Sequence, residues 1–202
     1  MFSFTRTQLP AADNGPDPED VRQATTRAWS RAHNMLTTVD DRYWLREGRS
    51  QVTQCLELLQ RGHPIDADRL AWLGVLLTSH AVRDLAGVVA ARYGQDLAAL
   101  LWMECSRGLQ PDYVPGAVFN LAVEAAAADQ VVLARAAADR ALEIDPHCSC
   151  ARALLCLLDI GARPQSIREA FDPATCESIL RAAELRPYSA RPVLPAQPTR
   201  AA

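Results

Sequence analysis

Arg140-Ala141-Leu142-Glu143-Ile144-Asp145-Pro146 returns 41 residues later as Arg181-Ala182-Ala183-Glu184-Leu185-Arg186-Pro187. A looser copy, Arg107-Gly108-Leu109-Gln110-Pro111, lies 35 residues before Pro146. Ahead of the central copy, Ala134, Ala138 and Ala141 recur at spacings of four and three residues, so they share one face of a helix. Two antiparallel helices approach closely only where side chains are small, and Leu121-Ala122 offers the facing points on the helix before. Pro146 cannot continue a helix, so the chain must turn there. The stretch predicts a helical hairpin, and its recurrence predicts more than one.

Working outward, the same periodicity covers most of the chain. Asp17-Pro18-Glu19-Asp20 is a helix start: a capping acid, Pro at the first helical position, and acids in the first turn. Val21, Ala24, Ala28, Ala32, Met35/Leu36 and Val39 then hold one stripe over five turns. A second helix is predicted over about 50–61, with Val52, Cys55, Leu56 and Leu59 on one face and Gly62 ending it. Asp66 caps a third, through Leu70, Leu73, Leu76 and Leu77, and a break at Ser79-His80 leads into a fourth that runs to Tyr93-Gly94. A fifth runs from Asp96 to Gly108, a hairpin begins at Pro115, and a last helix is predicted from Asp172-Pro173 to Pro187. No stretch alternates with period two, so no strand is predicted.

The small-large-small-Pro spacing resembles the tetratricopeptide repeat. The expected fold is all-α, with helical hairpins packed as a tetratricopeptide-like bundle or short solenoid. Residues 1–17 are low in apolar content and rich in turn formers, and are expected to be a disordered arm. One helical domain over 18–188 follows, and then a disordered Pro-rich tail over 189–202 with Pro192, Pro195 and Pro198.

Composition narrows the function classes. Twenty-one basic against 24 acidic residues give a net charge of -3, which argues against a nucleic-acid or anionic-membrane partner. Every basic residue is Arg, and total exclusion of Lys alongside heavy Ala use points to a GC-rich genome, such as that of an actinobacterium or one of its phages or plasmids. The opening Met1-Phe2-Ser3-Phe4-Thr5-Arg6 lacks the apolar core of a secretory signal, and no 18-residue apolar run follows. A cytoplasmic location is expected, with Cys55, Cys105, Cys148, Cys150, Cys156 and Cys176 as free, buried thiols.

Three segments in order resemble an actinobacterial family known only as domain of unknown function 4192. They are Leu58-Leu59-Gln60-Arg61-Gly62-His63-Pro64-Ile65-Asp66 leading into Ala71 and Leu73, then Leu76-Leu77-Thr78-Ser79-His80-Ala81-Val82-Arg83-Asp84, then Ala137-Ala138-Asp139-Arg140-Ala141-Leu142-Glu143-Ile144-Asp145-Pro146 followed by Ala151, Leu154-Leu155 and Gly161. The resemblance covers about Val52 to Pro164. Family members are usually longer, with an α/β region ahead of this helical part that is absent here. The resemblance implies a fold and a source and carries no activity.

Candidate sites follow from residue chemistry. Arg83 and Asp84 point about 100° apart on a helix and do not face one ligand squarely. Their structural alternative is ion pairing, Asp84 with Arg69 or Arg83 with Asp68, and His80 is the nearest further polar group. His147-Cys148-Ser149-Cys150 with Cys156 lacks the second cysteine knuckle of a zinc site, with only Cys176 left to complete it, so no metal and no cofactor are expected. No nucleophile elbow, H-E-x-x-H or phosphate-binding loop is present, and His33, His63, His80 and His147 fall on different predicted elements, so no enzyme is expected. In the hairpin beginning at Pro115, Phe119, Asn120 and Val123 are expected on the concave side of a groove, with Ala126/Ala127 beyond. The favoured expectation is a protein-interaction module, an adaptor or a self-associating protein. The alternative is a small-molecule-binding or nucleic-acid-linked accessory protein using His80, Arg83 and Asp84. An open apolar groove would favour the first, a polar pocket gathering those side chains the second.

Overall fold

Asp17 does cap the first helix: its Oδ1 accepts from the Glu19 amide at 2.9 Å, and α1 runs Pro18–Met35 with Ala24, Ala28 and Ala32 buried. The computed structural model describes residues 17–170 and 189–197, and every regular element among them is helical. The expected last helix from Asp172, the repeat copy at 181–187, Cys176 and residues 1–16 lie outside the described residues.

The second helix is longer than its sequence suggests. α2 spans Asp41–Gln60, starting nine residues ahead of the expected Ser50, with Asp40 Oδ1 accepting from the Tyr43 amide at 2.8 Å. Gly48 obscured it, because glycine inside a helical pattern reads as a break. Here it is a contact requirement: a methyl group at Gly48 would collide with Cγ1 of Val82. The first part of α2 also carries Trp44, fully buried, with its ring 6.3 Å from that of Trp72.

α3 (Ala67–Leu77) begins at Asp66, whose Oδ1 accepts from the Arg69 amide at 2.8 Å, and buries every residue from Leu70 to Leu77. A helix apolar all round belongs at the centre, and α3 packs against α1, α2, α4, α5 and α6. α4 (His80–Ala91) is capped by Ser79, with its Oγ 3.3 Å from the Val82 amide. α5 spans Gln95–Gly108, and a single 3₁₀ turn, Pro111–Tyr113, leads to α6, Pro115–Ala127. α7 is Val131–Ile144, α8 is Ser149–Asp159, and the short α9, Pro164–Ala170, returns to α6.

The α6–α7 pair is the most extensive helix contact among the described residues. Ala122 on α6 and Ala134, Ala138 and Ala141 on α7 are fully buried, whereas Ala136 is exposed, as the spacing requires. Asp129, with φ of 62°, makes the left-handed turn between them, and the Gln130 amide closes it on the Ala125 carbonyl at 2.8 Å.

Residues 189–197 depart from the expected disordered tail. Ala190 is 1 % exposed, Pro192 is buried, and the Pro195 carbonyl accepts from Nε1 of Trp29 at 3.0 Å. Arg191 lies 3.5 Å from the Asp41 carboxylate. Proline in an extended segment has little conformational freedom to lose on ordering, so a few apolar contacts suffice to hold it. The Pro spacing marked an extended segment and said nothing of its docking.

Candidate functional site

The starts of α4 and α6, the turn between α7 and α8, and the 189–197 segment surround a cavity of about 490 Å³. Thr78 closes α3 and Ser79 caps α4, which puts His80 at the cavity edge and Arg83 one turn further in. Asp145 Oδ1 accepts from the His147 amide at 2.9 Å, and this turn sets His147 and Cys148 on the opposite wall. Leu77, Pro115, Ile144, Val193 and Pro195 add apolar surface.

Arg83 is the centre of the site, at 5 % exposure. Its Nε and Nη2 donate to Oδ1 of Asp84 at 2.9 and 2.7 Å, and Nη2 also reaches Sγ of Cys150 at 3.3 Å. The guanidinium carbon sits 4.8 Å from the centre of the Phe119 ring, and the Arg83 carbonyl accepts from Nδ2 of Asn120 at 3.3 Å. Burial works against its charge, but the Asp84 carboxylate and the Cys150 sulfur outweigh it, so Arg83 is held above its ordinary value. His80 is pushed down, first by desolvation and then by Arg83, with Asp84 and Asp145 opposing.

Tyr113 is 2 % exposed, and its hydroxyl is buried with no hydrogen-bond partner among the described residues. Burial, then the neighbouring Asp112 charge, pushes the phenol up to about 12. A phenol left this way forfeits a hydrogen bond that folding normally recovers.

The expected ion pairs are not the ones formed. Asp68 pairs with Arg27 at 2.8 Å, Arg69 reaches Asp66 at 3.4 Å and Gln54 at 2.6 Å, and Arg83 turns back on its own neighbour Asp84. The 100° between adjacent helical positions is overcome by the length of the Arg side chain. The expected groove is also filled. Phe119 and Asn120 are buried, at 2 % and 4 % exposure, beneath Arg83 of α4, and only Val123 keeps partial exposure. They support the site from below.

Of the four histidines, His80 and His147 share the cavity, while His33 stacks on Trp29 at 4.8 Å and His63 lies in the exposed loop after α2. Cys55, Cys105 and Cys148 are buried free thiols, but Cys150 is half-buried and Cys156 exposed, so burial is not general among them. Among the described residues no three of His, Cys, Asp and Glu are grouped as a metal would need. Sequence reasoning missed Tyr113, Asp112, Val193 and Pro195, whose convergence with Arg83 needs the tertiary fold.

No helix among the described residues is long and apolar enough to cross a membrane. No curated protein and no solved structure matches the chain significantly. The family model described as Domain of unknown function (DUF4192) matches residues 5–165, reaching well ahead of the three segments that carry the likeness and taking in α1 and all of α2. With four-fifths of its length matched in one continuous span, this all-helical chain belongs to the DUF4192 family.

Proposed function

We propose that the protein binds a small organic molecule in the cavity beside Arg83, as a non-enzymatic accessory protein of the reducing cytoplasm in an actinobacterial host. The observation that carries this reading is the gathering of Arg83, His80, His147 and Tyr113 around one space of about 490 Å³. Ligand sites of this size pair apolar walls with a few convergent polar groups. Arg83 offers a cation for an acidic group, Asp112 and Asp145 offer carboxylates for a basic one, and Leu77, Ile144 and Val193 suit an apolar body. That chemistry fits a zwitterion of amino-acid size. The test is a thermal-shift panel of aliphatic and aromatic amino acids with their matched amines and carboxylic acids. Zwitterions should raise the melting temperature more than either half-charged analogue, and Ile144→Trp, which fills the space, should remove the response. A shift of equal size in the Ile144→Trp protein, or an equal or larger shift with the amines or the carboxylic acids, would overturn this reading.

A different observation favours protein interaction. Val132 is 84 % exposed and Ile160 79 %, with Val131 and Leu133 beside Val132, and the Arg135–Asp159 pair at 2.7 Å brings both sets to one end of the α7–α8 pair. If α6–α7 is a tetratricopeptide-like hairpin, a second copy of the chain packing at this end would bury that surface. Light scattering of wild type and of Val132→Glu/Ile160→Glu distinguishes the two: a dimer lost in the double variant supports self-association, and a monomer in both removes it.

A further inference from the structure

The wall of the cavity is unequally built. Leu77, Arg83, Tyr113 and Ile144 sit on helices or on the 3₁₀ turn, whereas Val193 and Pro195 belong to the 189–197 strip, which has no regular secondary structure. Proline fixes its own φ and presses the residue before it into extended backbone, so Arg191-Pro192 and Leu194-Pro195 keep the strip extended without help from neighbouring chain. Among the described residues no backbone–backbone hydrogen bond joins it to a helix. It is held instead by the burial of Ala190 and Pro192 and by the bond from Nε1 of Trp29 to the Pro195 carbonyl. His33 stacks on the Trp29 ring and fixes where the indole N–H points. The Arg191–Asp41 pair is half exposed on both sides, and an ion pair so open to water holds little. Val193 is 71 % exposed although it lines the cavity, so this wall is one residue thick. A segment with few buried contacts and no backbone bonds opens more readily than the helices around it.

We propose that the 189–197 strip is the gate of the cavity, released to admit a small molecule and docked again over it, with Trp29 as the latch. This rests on the reading that the cavity holds such a molecule. Opening removes Val193 and Pro195, while Leu77, Arg83 and Ile144 stay in place on their helices. The polar end of the site is therefore set before the ligand arrives, and one apolar side closes last. A ligand that touches Val193 or Pro195 binds the docked form better than the open one, so it must draw the strip toward docking.

Cys148 gives the readout, because it lines the cavity yet is only 3 % exposed. The whole chain, reduced, is pulsed with iodoacetamide, and each thiol is followed by peptide mass spectrometry. Cys156, exposed on α8, is the standard for the reagent, and Cys105, fully buried in the core, reports general loosening. Trp29→Phe removes the latch bond and should speed Cys148 about fivefold, the worth of one hydrogen bond. Pro192→Gly lies wholly within the strip and frees its backbone when undocked, so it should speed Cys148 roughly threefold without touching the helices. Cys105 and Cys156 should keep their rates in both. An unchanged Cys148 rate in Pro192→Gly, or a rise matched at Cys105, overturns the gate. A rise in Pro192→Gly with none in Trp29→Phe overturns the role given to Trp29. An amino acid that raises the melting temperature should also slow Cys148 in the wild type, and a raised melting temperature with an unchanged Cys148 rate overturns the coupling of ligand to gate. If no amino acid shifts the melting temperature, the ligand reading fails, and the two variants still decide whether the strip is a moving wall.

Discussion

α6 belongs to two regions that are held together by opposite means. Along most of its length it lies against α7 through alanines, with Ala122, Ala134, Ala138 and Ala141 fully buried. At its first turn, Pro115 and Gly116 border the cavity, whose walls are an Arg, two His, a Tyr and a few aliphatic groups around about 490 Å³ of space. The hairpin has no room for added volume and the cavity wall has plenty. The same substitution therefore has different meanings a few residues apart: it tests packing in one region and occupancy in the other.

The largest effect expected comes from the buried acid on α6. Glu124 is 8 % exposed, and burial pushes its carboxyl up to about 7 from the ordinary 4.5. Between those values the folded protein holds a proton that the unfolded chain has lost, so stability falls as pH rises from about 4.5 to about 7 and stays lower above. The full loss is roughly 3 kcal/mol. Urea melts from pH 4.5 to 9 should show this fall, and Glu124→Gln should flatten it. His80 acts in the opposite sense, because its folded imidazole resists protonation and acid below about 6.5 costs stability.

Overpacking the hairpin comes next. Ala138→Leu and Ala141→Leu should each cost about 1–3 kcal/mol, visible as a lower melting temperature. A tolerant hairpin would break the contrast between the two regions. At the cavity, Ile144→Phe also adds three carbons and should change stability by less than about 1 kcal/mol, because the ring enters open space. Smallest of all, Ala136→Leu on the exposed face of α7 should stay within about 0.5 kcal/mol.

The regions also differed in how far the sequence announced them. The hairpin was legible because its determinants are local: alanines at helical spacing and a proline after the second helix. Helix starts at Asp17, Asp66 and Ser79 were legible for the same reason, as each capping oxygen reaches an amide two or three residues on. The site was half legible. His80, Arg83 and Asp84 were singled out from a short segment, but the partners of Arg83 come from α6 and α8, and Tyr113 and Val193 from further afield. Ion pairs were misassigned because long Arg side chains reach several acids, and only the packed neighbours decide which. The groove was misread because the face of α6 bearing Phe119 and Asn120 looks the same in sequence whether a partner or α4 covers it.

The docked segment at 189–197 carries a consequence for the order of events during synthesis. Trp29 binds the Pro195 carbonyl across 166 residues, and Val193 and Pro195 form part of the cavity wall. Domains emerge from the ribosome N-terminus first, so α1 through α8 are available to pack while this strip is still inside the exit tunnel. A nascent chain at that stage has Arg83 and its neighbours in place but one side of the chamber missing. Occupancy of the cavity would then report that this strip has been made and has docked, and a chain cut before residue 189 would fold around an unroofed site.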